Sequence, residues 1–128
     1  MAGQNFKRGV DFPNEGFVQL AVARHFEALG FVEVQDGHAD YAGLHPVTGA
    51  RWRVEAKGMT TAVGLDFRTG LGQLLQGMSN QQANHGLAIP NTPQFRRQVQ
   101  AVPAWVREVL RLHWFFVRED GAVIVDSP

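Results

Sequence analysis

The chain has 128 residues, 45 % apolar and 19 % charged, which fits one globular domain with a sizeable core. Twelve basic and twelve acidic residues cancel, arguing against a protein that coats nucleic acid through a large positive field, while a local basic lining stays open. No cysteine is present, which excludes disulfides and thiolate metal sites. No apolar run reaches the roughly 20 residues of a membrane span. Met1-Ala2-Gly3-Gln4-Asn5 lacks the apolar core of a signal peptide, so a cytoplasmic protein is expected.

In chain order, residues 1–10 read as a loose arm ahead of a single domain over 11–128. A helix is predicted from about Pro13 to Leu29, with Asp11 or Asn14 as N-cap and Gly30 as its stop. Phe31 to Val34 reads as a short strand and Asp36-Gly37 as a turn. Asp40 to Leu44 and Arg51 to Lys57 read as two strands joined through Pro46-Val47-Thr48-Gly49. A second helix is predicted from about Asp66 to Gln82, with Leu71, Leu74, Leu75 and Met78 at i, i+3, i+4 and i+7. Gly86 to Ile89 reads as a strand ended by Pro90. Gln94 to Arg111 is helical in pattern, divided at Pro103. Trp114-Phe115-Phe116-Val117 reads as a strand covered on both faces. Asp120-Gly121 then turns the chain into Val123-Ile124-Val125. The order α-β-β-β-α-β-α-β-β implies an α/β fold, a mixed sheet flanked by helices.

The chemistry concentrates in Arg51-Trp52-Arg53-Val54-Glu55-Ala56-Lys57-Gly58. Strand alternation puts Trp52, Val54 and Ala56 on one face and Arg51, Arg53, Glu55 and Lys57 on the other. Glu55 and Lys57 therefore project together, roughly 7 Å apart along the strand. Alone, such a pair reads as a solvated face with an ion pair worth at most about 1 kcal/mol. Pairing about the 46–49 turn changes this, because position 44 then opposes about 51, and Asp40 opposes about 55. Two carboxylates held ~4 Å apart repel by a few kcal/mol at intermediate dielectric. A divalent cation relieves that repulsion, and hard oxygen ligands suit Mg²⁺. On the first helix Glu15 falls in line with Val18, Val22, Phe26 and Leu29. It reads either as an acid aimed at this cluster or as a first-turn glutamate favoured by the helix dipole. Phe17, Leu20 and Ala21 on the opposite side suggest a helix covered on both faces.

Asp40, fourteen intervening residues and then Glu55-Ala56-Lys57 resemble the motif of the PD-(D/E)XK nuclease superfamily, with Ala39-Asp40 standing where the name-giving Pro-Asp would be. That superfamily includes type II restriction endonucleases, archaeal Holliday-junction resolvases and small phage and mobile-element nucleases. The resemblance spans roughly residues 11–118 and implies a restriction-endonuclease-like fold. It also implies a Mg²⁺-dependent nuclease acting on DNA (RNA being an open alternative), with Mn²⁺ able to substitute. By the same resemblance Asp40, Glu55 and the Ala56 main-chain carbonyl would ligate the metal. Lys57 would orient or deprotonate the attacking water and stabilise developing charge. Glu15 resembles a first-helix glutamate that reaches the metal through water. Gln73 resembles a glutamine carried on the helix after the Lys strand, although its position off the leucine stripe equally suits a solvated side chain. The related Gln-x-x-x-Tyr motif would need Tyr at 77, where this chain has Gly77.

Arg53, Arg68, Thr69, Arg96 and Arg97 are candidate nucleic-acid contacts. Arg68-Thr69-Gly70 is placed near the start of the second helix, where backbone N–H groups favour phosphate. The Met59-to-Asp66 segment is read as a mobile loop over the site. His38 and His45 flank the Asp40 strand, but no compact zinc motif accompanies them. A chain this short leaves little room for a separate recognition domain. A homodimer, a structure-selective enzyme or a part of a larger nucleoprotein assembly is therefore expected. The rival reading is a catalytically silent nuclease-fold protein that binds or builds within a phage or mobile element.

Overall fold

The computed structural model describes residues 9–128, so most of the expected 1–10 arm lies outside the described residues. Six strands form one open sheet: β1 (Val32–Glu33), β2 (Tyr41–Leu44), β3 (Arg51–Ala56), β4 (Asn84–Pro90), β5 (Leu112–Val117) and β6 (Val123–Asp126). Their spatial order is their chain order, β1-β2-β3-β4-β5-β6. The β3–β4 and β4–β5 pairs are parallel, and β1–β2, β2–β3 and β5–β6 are antiparallel. Four helices accompany the sheet among the described residues: α1 (Glu15–Ala28), α2 (Val63–Gln76), α3 (Pro93–Gln100) and α4 (Ala104–Leu110). The architecture is therefore α/β with a mixed sheet, and Pro103 divides the last helical stretch as its fixed φ and missing N–H dictate. No helix among the described residues is long and apolar enough to cross a membrane.

Parallel pairing across β3–β4–β5 demands crossovers, and α2 and the α3–α4 pair supply them. Period-two alternation then sorts β5 onto two cores. Phe115 and Val117 pack with Val18, Val22 and Phe26 of α1. Trp114 and Phe116 pack on the other face with Phe67 and Leu74 of α2 and Phe95 of α3. This is why the strand reads as a continuous apolar run. On the second face of α1, Ala21 is buried and Phe17 packs against the core while Leu20 is exposed; Leu29, expected on the inward stripe, is the exposed C-cap.

Helix α2 departs most from the sequence expectation of Asp66 to Gln82. It begins three residues earlier because Asp66 lies inside the first turn and accepts hydrogen bonds from the Thr60 N–H and hydroxyl, both at 2.8 Å. It ends at Gln76, since Gly77 follows and Asn80 Oδ1 captures the Gln82 N–H at 2.9 Å. Its buried stripe is Phe67, Gly70 and Leu74, while Leu75 is 42 % exposed. The polar Ser79-Asn80-Gln81-Gln82 run thus forms a turn instead of continuing the helix.

Candidate active site

The β2–β3 register is Leu44↔Arg51 through Tyr41↔Val54, and one further step sets Asp40 against Glu55 as the turn predicted. Asp40 Oδ2 accepts the Ala56 N–H at 2.8 Å, which carries the hairpin past the end of β2. Its Oδ1 accepts from Gln19 Nε2 at 3.3 Å, and the same amide reaches Glu15 Oε2 at 3.4 Å. Gln19 is therefore a site residue that sequence reasoning missed. Its signal was its place one turn after Glu15 on the same helix face.

Glu55 alternates away from Val54 and Ala56 onto the α2 side, beside its strand neighbour Leu87, and is only 5 % exposed. Its carboxyl is pushed up to about 7, first by burial, then by the charge of Asp40 and a hydrogen bond with it; Arg53 and Lys57 pull it partly back. Near neutral pH the Glu55 carboxyl is therefore only partly ionised. The unfolded chain loses the Glu55 proton near 4.5, whereas the fold holds it to about 7. The folded state thus binds more protons in that window, and stability falls as pH rises through it. We expect the metal-free protein to lose on the order of 3 kcal/mol relative to Glu55→Gln between pH 4.5 and 7. Paired urea titrations in chelator check this. A constant difference across that range would contradict the assignment, and the variant pair cancels the histidines, of which His25 and His113 are shifted down by burial.

Lys57 lies just beyond β3, its N–H bonded to the Ala88 carbonyl at 2.9 Å. Its Nζ stands 3.7 Å from Glu15 Oε1, with both side chains mostly covered. Two glycines make this possible. At Gly70 an added Cβ would lie 2.6 Å from Lys57 Cγ, so α2 can cross the lysine stem only without a side chain there. At Gly58 an added Cβ would lie 2.3 Å from the Glu15 backbone nitrogen, so β3 exits in backbone contact with the first turn of α1. The Met59 N–H to Pro13 carbonyl bond, 2.9 Å, closes the same junction.

These side chains surround a cavity of about 390 Å³. Glu15, Asp40, Glu55 and Lys57 all line it, and so does Gln73, off the apolar stripe of α2 but on its cleft side. Arg53, His38 and Gln76 complete the wall; the last two were not foreseen as site residues. Arg53 is tied to Asp36 at 3.1 Å and passes beneath Gly77, where a Cβ would lie 2.7 Å from its Nε. It thus forms a wall of the site.

The other basic candidates are not brought here. Arg68, Thr69 and Gly70 lie in the body of α2, where backbone N–H groups are spent on the helix, so the helix-start phosphate reading is corrected. Arg96 holds its guanidinium 3.7 Å over the Phe116 ring and donates to Asn91, a packing role, while Arg97 is exposed on α3. The segment from Met59 to Asp66 is no free loop: Pro13 and Asp66 pin it, and from Val63 onward it is helix. His45 Nδ1 accepts from the Val47 and Thr48 N–H groups and so builds the turn. Among the described residues no three His, Asp or Glu side chains converge as a ready metal cage. A cation on the Asp40–Glu55 pair would therefore take further oxygens from main chain, water or substrate, as Mg²⁺ usually does. Comparison with protein-family models, with curated proteins and with solved structures finds no match to this chain.

Proposed function

We propose that this chain is a divalent-metal-dependent nuclease of the PD-(D/E)XK type, with a restriction-endonuclease-like fold and DNA as substrate. The observation that carries the reading is the buried Glu55 carboxyl, set against Asp40 by the β2–β3 register, with Lys57 just past the end of β3 lining the same cavity. A buried carboxyl set against a second carboxylate is a pair of hard oxygen donors, the donor chemistry a Mg²⁺ or Mn²⁺ ion suits. Asp40, Glu55 and the Ala56 carbonyl would hold the ion, with Glu15 reaching it through water. Bound there, Mg²⁺ would neutralise the scissile phosphate and lower the pKa of a water.

The chain's own residues do the rest. Lys57 presents its ammonium to the cavity as a point charge where negative charge gathers on the phosphate. Glu15 holds that ammonium at 3.7 Å, and Gln19 braces Glu15 against Asp40. Gln73 offers a neutral amide donor to a phosphate oxygen or the water, and Arg53 makes the far wall cationic. Hydrolysis forms a bond from the water oxygen to phosphorus and breaks a phosphorus–ester oxygen bond, the leaving oxygen taking up a proton.

A cleavage panel tests this: linear, supercoiled, single-stranded and branched DNA plus RNA, with Mn²⁺ or with chelator. Cutting of at least one DNA in Mn²⁺ and none in chelator is expected. Binding without cutting anywhere would favour the silent, structural alternative.

A further inference from the structure

The Glu15–Lys57 pair is not the end of the cleft. It is a ridge shared with a second, larger hollow of about 540 Å³. The two differ in chemistry. The first is walled by charge. Among the described residues lining the second, Lys57 is the one cation, and Asp66 is already engaged by Thr60. Beyond the shared Glu15 and Lys57, and Asp66, the lining is neutral: Met59 and Leu65 supply apolar surface, and Asn14 and Thr69 supply an amide and a hydroxyl. Leu65 is 59 % exposed, and the Asn14 side chain makes no cap bond to α1.

One face of α2 runs past both hollows. Leu65 and Thr69 line the second and Gln73 the first, at i, i+4 and i+8, a span of about 12 Å along the helix. A strand with its scissile phosphate at Lys57 would therefore lay an adjoining nucleotide in the second hollow. An apolar floor with a few neutral donors suits the face and edge of a base, and only a base outside a duplex stack presents both. Among the described residues, these walls carry no array of cations of the kind by which a duplex is gripped through its phosphates.

Resting on the nuclease reading, we propose that the second hollow receives an unpaired nucleotide, so that the substrate is single-stranded DNA or a duplex locally opened at the cut.

The test uses fluorescent oligothymidine, its blunt duplex with oligoadenylate, and that duplex carrying one unpaired thymidine. Binding is followed by anisotropy in Ca²⁺ and cutting in Mn²⁺, for the parent, Leu65→Ala and Thr69→Phe. Leu65 is exposed, so its truncation leaves the fold intact even if the filling variant does not. The single strand and the bulged duplex should bind about tenfold tighter than the blunt duplex. Both variants should lose about tenfold on those two substrates alone. Equal binding of blunt duplex, or parental binding of single strand by both variants, overturns the proposal. Cutting of blunt duplex without preference would overturn it while sparing the nuclease reading. Selective, variant-sensitive binding with no cutting would support the hollow and overturn that reading. Absence of both binding and cutting would overturn both.

Discussion

Lys57→Gln is expected to lower kcat for DNA cleavage by about 10²–10³-fold while leaving divalent-ion binding in place. The substitution keeps most of the stem that crosses under Gly70 and removes only the charge at the cavity. Its structural cost is small, since the ion pair with Glu15 is long at 3.7 Å, and is about 1 kcal/mol. Lys57 also lowers the Glu55 pKa, so its loss leaves Glu55 holding its proton more firmly in the metal-free state. Lys57→Arg should rescue poorly, because a planar guanidinium cannot take the place of a compact ammonium beside Glu15. Single-turnover rates with saturating Mn²⁺ are the measurement. Wild-type rates in Lys57→Gln would remove the lysine from the chemistry.

Gly58→Ala is expected to be among the most damaging methyl additions in the chain. The new Cβ would stand 2.3 Å from Glu15 N and 2.7 Å from the Asn14 carbonyl carbon, all backbone with no rotamer to yield. Helix α1 must move off the end of β3, breaking the Met59–Pro13 hydrogen bond and drawing Glu15 away from Lys57. Overpacking of this kind costs about 3 kcal/mol or more, or roughly 10 °C in Tm for a domain of this size. Cleavage should fall with it. Gly72→Ala is the control: nothing lies within 4 Å of that position on α2, so the added methyl should stabilise by about 0.5–1 kcal/mol. Equal melting temperatures for Gly58→Ala and the parent would mean that the β3–α1 junction is not tightly packed at Gly58.

Much of the site was legible because its determinants are local. The turn at Pro46–Gly49 sets the β2–β3 register, and register alone brings Asp40 to Glu55. Alternation along β3 separates Val54 and Ala56 from Glu55, and the apolar run of β5 announces its two cores. What stayed hidden depends on partners distant in sequence. Arg96 reads as a DNA contact until Phe116 is found under it. Asp66 reads as a helix start until Thr60 is seen to occupy its carboxylate. Gly70 and Gly77 did carry a signal, since glycines two turns apart within or beside a helix usually have a packing reason. Only the fold shows that Lys57 and Arg53 pass beneath them. Arg97 and Arg68 remain exposed on their helices, and neither lines the two hollows at the ridge.

If Asp40 and Glu55 together hold a divalent cation, calorimetric titration with Mn²⁺ at pH 6 will register it. That pH lies below the raised Glu55 value of about 7, so binding must expel a proton, visible as a heat that scales with the ionisation enthalpy of the buffer. Saturable binding with proton release is expected in the wild type, and a loss exceeding about 100-fold in Glu55→Gln. No saturable heat in the wild type, or undiminished affinity in Glu55→Gln, would contradict a shared site on Asp40 and Glu55.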